Sequence, residues 1–143
     1  AERNRLVDQA VDVISKDQSV LLYSAMGPDD PKIVSTKEQI KAFGLPAGSV
    51  GEILATQQGL ILRDILEKTG LRRVAVAGGD TCGYVLKQLG VYVLEFVIPL
   101  GTAAPLCRAS SNIPQFDGIE IALKGGQLGE VDFFGSVLRG KQD

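Results

Sequence analysis

One pattern occurs twice in this chain and limits what it can fold into: a short apolar run stops abruptly at paired glycines, and a helix-like stretch follows. The first instance is Arg73-Val74-Ala75-Val76-Ala77, then Gly78-Gly79-Asp80-Thr81, then an amphipathic stretch from Thr81 to Leu89 with Val85, Leu86 and Leu89 on one side. The second is Ile119–Leu123, then a loop over Lys124–Glu130, then Val131–Leu138. A run of about five apolar residues closed by glycines reads as a buried strand. Two strand–glycine loop–helix units predict an α/β fold, a layered sheet with flanking helices and glycine-rich loops between strands and helices.

The remaining segments fit that plan. Glu2–Ser15 predicts a helix, with Leu6, Ala10, Val13 and Ile14 near one face. Ser19–Ser24 reads as a short buried strand, and Gly27-Pro28-Asp29-Asp30-Pro31 breaks it. A brief helix is expected over Thr36–Phe43, then a break over Gly44–Gly48. Ser49 opens the clearest helix, with Glu52 three residues on as a capping box and Gly70 as its C-cap. Gly59 in its middle costs about 1 kcal/mol relative to alanine unless something packs closely against it. Val91–Ile98 is a further strand, and Pro99–Gly118, with three prolines, reads as a long connection of the kind that is often functional.

The 143 residues suit a single domain over 1–143, and 45% hydrophobic against 22% charged residues argues for a packed core. A net charge of −2 carries no nucleic-acid footprint, and no apolar run reaches membrane-helix length. Two cysteines make no disulfide framework, and with no apolar leader at Ala1 the expected compartment is the cytoplasm. The absence of histidine excludes a Ser-His-Asp triad and histidine-based zinc sites.

Candidate chemistry therefore sits in the glycine loops, which in an open α/β sheet lie beyond the carboxyl ends of the strands. Gly78 and Gly79 let a ligand approach the backbone, and the following helix N-terminus offers unpaired N–H groups to a phosphate. Thr81 can add a hydroxyl, and Asp80 can hold Mg²⁺ directly or through water. The same residues also fit a tight turn with Asp80 or Thr81 as N-cap. In the second loop, Lys124, Gly125, Gly126 and Gly129 can surround a phosphate, and Lys124 equally fits a solvated surface. Asp132 suits either a metal-site carboxylate or a helix N-terminal charge. Tyr84 stands where a P-loop requires lysine, and no Rossmann G-x-G-x-x-G occurs here. Cys82 has no histidine partner and reads as a small packing residue; Ser110-Ser111-Asn112 reads as solvated loop.

Taken together, Val76-Ala77-Gly78-Gly79-Asp80-Thr81, Leu89-Gly90, Ala122-Leu123-Lys124-Gly125-Gly126-Gln127-Leu128-Gly129 and Asp132-Phe133-Phe134 resemble the C-terminal nucleotide-binding domain of the four-carbon acid sugar kinases, which act on D-threonate, D-erythronate or 3-oxo-tetronate. The resemblance spans roughly Ser49–Leu138. It implies ATP and Mg²⁺ in this domain, a small sugar acid held by an N-terminal domain absent from this chain, and phosphoryl transfer in the cleft between them. It further implies a fragment inactive by itself, with the acceptor's base elsewhere. Cys82 stands where serine is usual, Leu128 replaces a common phenylalanine, and Pro99–Arg108 departs from the usual Pro-Gly-Val-Pro. A homo-oligomer is compatible with this reading. The alternatives are a non-catalytic nucleotide- or sugar-phosphate-binding module and an interaction domain whose glycines are purely structural.

Overall fold

Strands β1 (Arg73–Ala77) and β4 (Glu120–Lys124) lie side by side and parallel at one end of a mixed four-stranded sheet. β2 (Val91–Pro99) and β3 (Pro105–Ser111) form an antiparallel hairpin that completes the order β1-β4-β3-β2. This is a computed structural model of the chain, and it describes residues 2–140 except 28, 45, 47, 127 and 129. Of the helices α1 (Glu2–Ile14), α2 (Pro31–Ala42), α3 (Ser49–Thr69), α4 (Gly79–Gln88) and α5 (Phe133–Arg139), α3, α4 and α5 pack on the sheet, α1 packs on α3, and α2 buries no residue, which makes the fold α/β as the sequence predicts.

Alternation along the strands sends side chains to two cores. On one face Val74, Val76, Ala109 and Ile121 pack with Val85 and Leu89 of α4, and Leu66 of α3 joins them. On the other, Leu106 and Ala122 pack with Phe133 and Val137 of α5. A third cluster, Val7, Ala10 and Ile65, seats α1 on α3. Helix α3 crosses α4 closely at Gly59, where a Cβ would stand 2.8 Å from Gln88 Cγ and 3.1 Å from the Val85 Cα. The mid-helix glycine is therefore a packing requirement. Gly70 ends α3 in the left-handed region at φ 68°, its N–H donating to the Leu66 carbonyl at 2.9 Å.

Several expectations are corrected. Residues 19–24 form no strand: Leu21 is 59% exposed and Tyr23 55%. An apolar run becomes a strand only where a neighbour takes its backbone hydrogen bonds; here only Val20 reaches a core, beside α1 and α3. Helix α2 starts five residues before Thr36, because Asp30 accepts from the Lys32 N–H at 2.9 Å and Pro31 occupies the first turn. The capping box at Ser49 does not form. Gly48 takes the cap position, and the Ser49 hydroxyl donates backwards to the Pro46 carbonyl at 2.7 Å. The expected long connection over Pro99–Gly118 contains β3, whose single proline, Pro105, is its first residue and stands opposite Pro99 at the end of β2, where the ladder tolerates it. Ser111 is not solvated but buried, its hydroxyl donating to the Leu89 carbonyl at 2.7 Å and accepting from the Ile113 N–H at 2.9 Å. Among the described residues no helix is long and apolar enough to cross a membrane.

Candidate functional site

Parallel pairing of β1 and β4 brings both glycine loops to one crest. The register sets Ala77 opposite Lys124, so the strands end together. The Gly78 N–H then donates to the Lys124 carbonyl at 2.9 Å, joining the first loop to the root of the second. Beneath them Cys82 of α4 packs with its thiol toward the Val76 and Lys124 carbonyls at 3.6 and 3.8 Å. Burial raises the Cys82 thiol above its ordinary value of 9.0, against the weaker lowering effect of those contacts. A thiol kept protonated is a packing group and a poor nucleophile.

The glycines divide by what the fold asks of them. Gly78 has φ 127°, a conformation closed to L side chains, and a Cβ there would lie 2.9 Å from Thr81 Oγ1. Neither condition holds at Gly79 or Gly126: their φ values lie outside that region and a Cβ would meet nothing within 4 Å. Folding thus explains Gly78 but leaves Gly79 and Gly126 bordering open space above the crest.

Asp80 lies exposed in the first turn of α4, and Gly78, not Asp80 or Thr81, occupies the cap position, with no side-chain cap bond. Thr81 is half-buried beside Gly78. The Lys124 ammonium curls onto its own loop and donates to the Gly125 and Gly126 carbonyls at 3.0 and 3.1 Å. Of its three donors, two thus hold the loop's shape, a geometry the sequence does not reveal. Asp132 precedes α5 and is paired with Arg139 at 2.6 Å, its carboxylate filling the place a Gly135 Cβ would take. Among the described residues no three of the cysteine, aspartate and glutamate side chains gather into a metal cluster. Gly129 and Gln127 lie outside the described residues.

Sequence reasoning missed a third loop at this crest. The ladder aligns Ala75, Ala122, Leu106 and Ile98 across the sheet, so the β2–β3 turn, residues 100–104, rises at the same end as both glycine loops. Its signal was present: Gly101-Thr102 between two apolar runs is hairpin chemistry. Among the described residues, one concavity of about 310 Å³ between α1 and α3 and another of about 530 Å³ by Met26–Lys32 lie away from this crest. The first is lined largely by side chains such as Asp8 and Lys68 that already pair with each other at 2.7 Å.

A parallel strand pair with two glycine loops at one crest defines the class of this fold: an α/β domain with a mixed sheet. The chain belongs to the family described as the nucleotide-binding C-terminal domain, whose profile matches residues 1–134. It is 41% identical to the 3-oxo-isoapionate kinase of Paraburkholderia graminis, over 99% of this chain and 30% of that protein. It is 32% identical to the 3-oxo-tetronate kinase of Pseudomonas savastanoi pv. phaseolicola, over 94% of this chain and 29% of that one. The chain therefore spans about 30% of the length of these curated relatives. Among solved structures, a Salmonella typhimurium protein described as a putative tRNA synthase superposes with a TM-score of 0.70 at 22% identity, covering 98% of this chain and 32% of that one. A Bordetella bronchiseptica domain of unknown function, described as a domain-swapped dimer with bound citrate, gives 0.59 at 19% identity, covering 96% and 37%. At these identities the likeness shows the fold alone.

Proposed function

We propose that this chain is the ATP-binding part of a kinase that phosphorylates a small sugar acid, with the acid held by an N-terminal domain of a longer protein. The observation that carries this reading is the shared crest: loops tied by the Gly78–Lys124 hydrogen bond, with Gly79 and Gly126 facing space that the fold leaves open. A glycine the backbone does not need, beside a helix N-terminus, suits the close approach of a phosphate. Backbone N–H groups at the start of α4 and the remaining Lys124 donor would meet the phosphate oxygens. Positioning and charge stabilisation are what phosphoryl transfer asks of a protein. Mg²⁺ fits this donor set in a limited way: Asp80 is an exposed carboxylate at the loop, and an ion held mainly by phosphate and water needs one or two such groups. When bound it neutralises charge on the transferring phosphate. Asp132 is the weaker candidate, since Arg139 already pairs with it.

The relatives' names support a 3-oxo sugar acid, 3-oxo-tetronate or 3-oxo-isoapionate, as the acceptor; threonate and erythronate are the four-carbon alternatives that the sequence resemblance alone adds. The acceptor's general base lies outside this chain, which by itself is inactive. A cytoplasmic metabolic enzyme fits this chemistry, and a homo-oligomer is compatible with it. Calorimetry with Mg·ADP and a coupled assay with 3-oxo sugar acids test the reading. Binding in the micromolar to millimolar range without turnover is expected of this chain, and turnover of the sugar acid by the longer protein. Absence of ADP binding, or robust turnover by this chain alone, would refute it.

A further inference from the structure

The β2–β3 turn is held firmly and carries unusual backbone. Its flanks Leu100 and Ala104 are each 1% exposed and pack with Phe133 of α5, so the turn is fixed to the element that follows the second glycine loop. Within it Ala103 adopts φ 53°, uncommon for a residue with a side chain, while Gly101 at φ 141° is the ordinary use of glycine in a hairpin turn. The left-handed conformation of Ala103 persists because the buried flanks on either side enforce it. Glu130, from the second loop, lies directly on this turn: a Cβ at Gly101 would be 3.4 Å from Glu130 Cγ. The Glu130 carbonyl accepts from the Phe133 N–H at 3.2 Å, which fixes its backbone, while among the described residues nothing engages its exposed carboxylate.

Position and charge together say what this corner can hold. Neighbouring strands stand about 4.8 Å apart, so the turn over β2 and β3 lies one to two strand spacings from β4 and two to three from β1. A diphosphate on that crest would leave its own ribose within this reach. A carboxylate repels phosphate oxygens but accepts well from a vicinal diol, as acidic residues do toward ribose in dinucleotide sites. We propose that Glu130, seated on the turn Gly101–Ala103, is the specificity-determining acceptor for the ribose hydroxyls of the nucleotide. The inference rests on the nucleotide reading above and adds to it the polarity of the site: phosphates over β1 and β4, ribose toward β3 and β2.

The test compares Mg·ADP, Mg·2′,3′-dideoxy-ADP and Mg·pyrophosphate by calorimetry on the chain and on Glu130→Ala, an exposed position where the variant folds. In the unaltered chain, loss of both hydroxyls weakens binding about ten- to a hundredfold. In Glu130→Ala, ADP weakens to the level of the dideoxy nucleotide, and pyrophosphate binds as before. An ADP-to-dideoxy ratio that Glu130→Ala leaves intact overturns the ribose assignment. So does an equal loss for all three ligands, which would make Glu130 a metal or phosphate-loop residue. Absence of binding by ADP and pyrophosphate alike would instead remove the nucleotide reading itself.

Discussion

Replacing Gly79 by valine separates what the fold needs from what a ligand needs. A Cβ at Gly79 meets nothing within 4 Å, and its backbone is open to L residues. Gly79 is the first residue of α4, where valine is a slightly better helix former than glycine by a few tenths of a kcal/mol. Stability should therefore stay within about 0.5 kcal/mol of the parent. Binding should not. If backbone N–H groups here meet a phosphate, each is a charge-assisted hydrogen bond worth about 1.5–3 kcal/mol, and a branched side chain in the open space blocks the approach. Losing one such bond weakens ADP about ten- to a hundredfold. Gly78→Ala is the internal contrast: φ 127° and the 2.9 Å contact with Thr81 Oγ1 should destabilise the fold by about 1–3 kcal/mol, lowering Tm by several degrees. Thermal melts and ADP calorimetry on both variants decide the matter. A Gly79→Val protein that melts normally and binds ADP with unchanged affinity would show that the open space above the crest is not a phosphate site.

Lys124→Met should weaken ADP about ten- to a hundredfold while leaving adenosine nearly unaffected, read as the ratio of the two affinities. Because the ammonium also holds the Gly125 and Gly126 carbonyls, the melt should record a loss of about 1 kcal/mol, more than an exposed lysine would give. Gly59→Ala should destabilise the protein by about 1–3 kcal/mol in urea titration despite its better helix propensity, since the 3.1 Å approach to the Val85 Cα cannot relax without moving α4; a neutral or stabilised variant would show that the helices are free to separate.

Legibility followed the range of the interaction that decides each feature. The β1–α4 and β4–α5 units could be read because apolar runs, paired glycines and amphipathic spacing are local signals. The end of α3 at Gly70 was equally local. β3 was obscured by Pro105 and its serines despite the hairpin signal at Gly101-Thr102, since its strand character rests on pairing with Val91–Pro99 and Glu120–Lys124. The run at residues 19–24 failed in the opposite sense: its composition suits a strand, but no neighbour pairs with it. At Ser49 the residue types of a capping box were present, and one bond to the Pro46 carbonyl decided against it.

For the candidate site the division is sharper. Sequence alone determined which groups are available: two glycine loops, two aspartates, a threonine and a lysine, no histidine, and no charge pattern for nucleic acid. It also determined that strands deliver those loops, because hydrophobic periodicity is written residue by residue. Only the tertiary structure decided that the loops share one crest, since parallel pairing joins residues 73–77 to residues 120–124 across more than forty positions of chain. Only it distinguished Gly78, required by backbone conformation, from Gly79 and Gly126, which the fold does not require. It alone brought Glu130 onto the turn at Gly101. Torsion angles and open volume depend on what the rest of the chain leaves around a residue, and no local pattern encodes that.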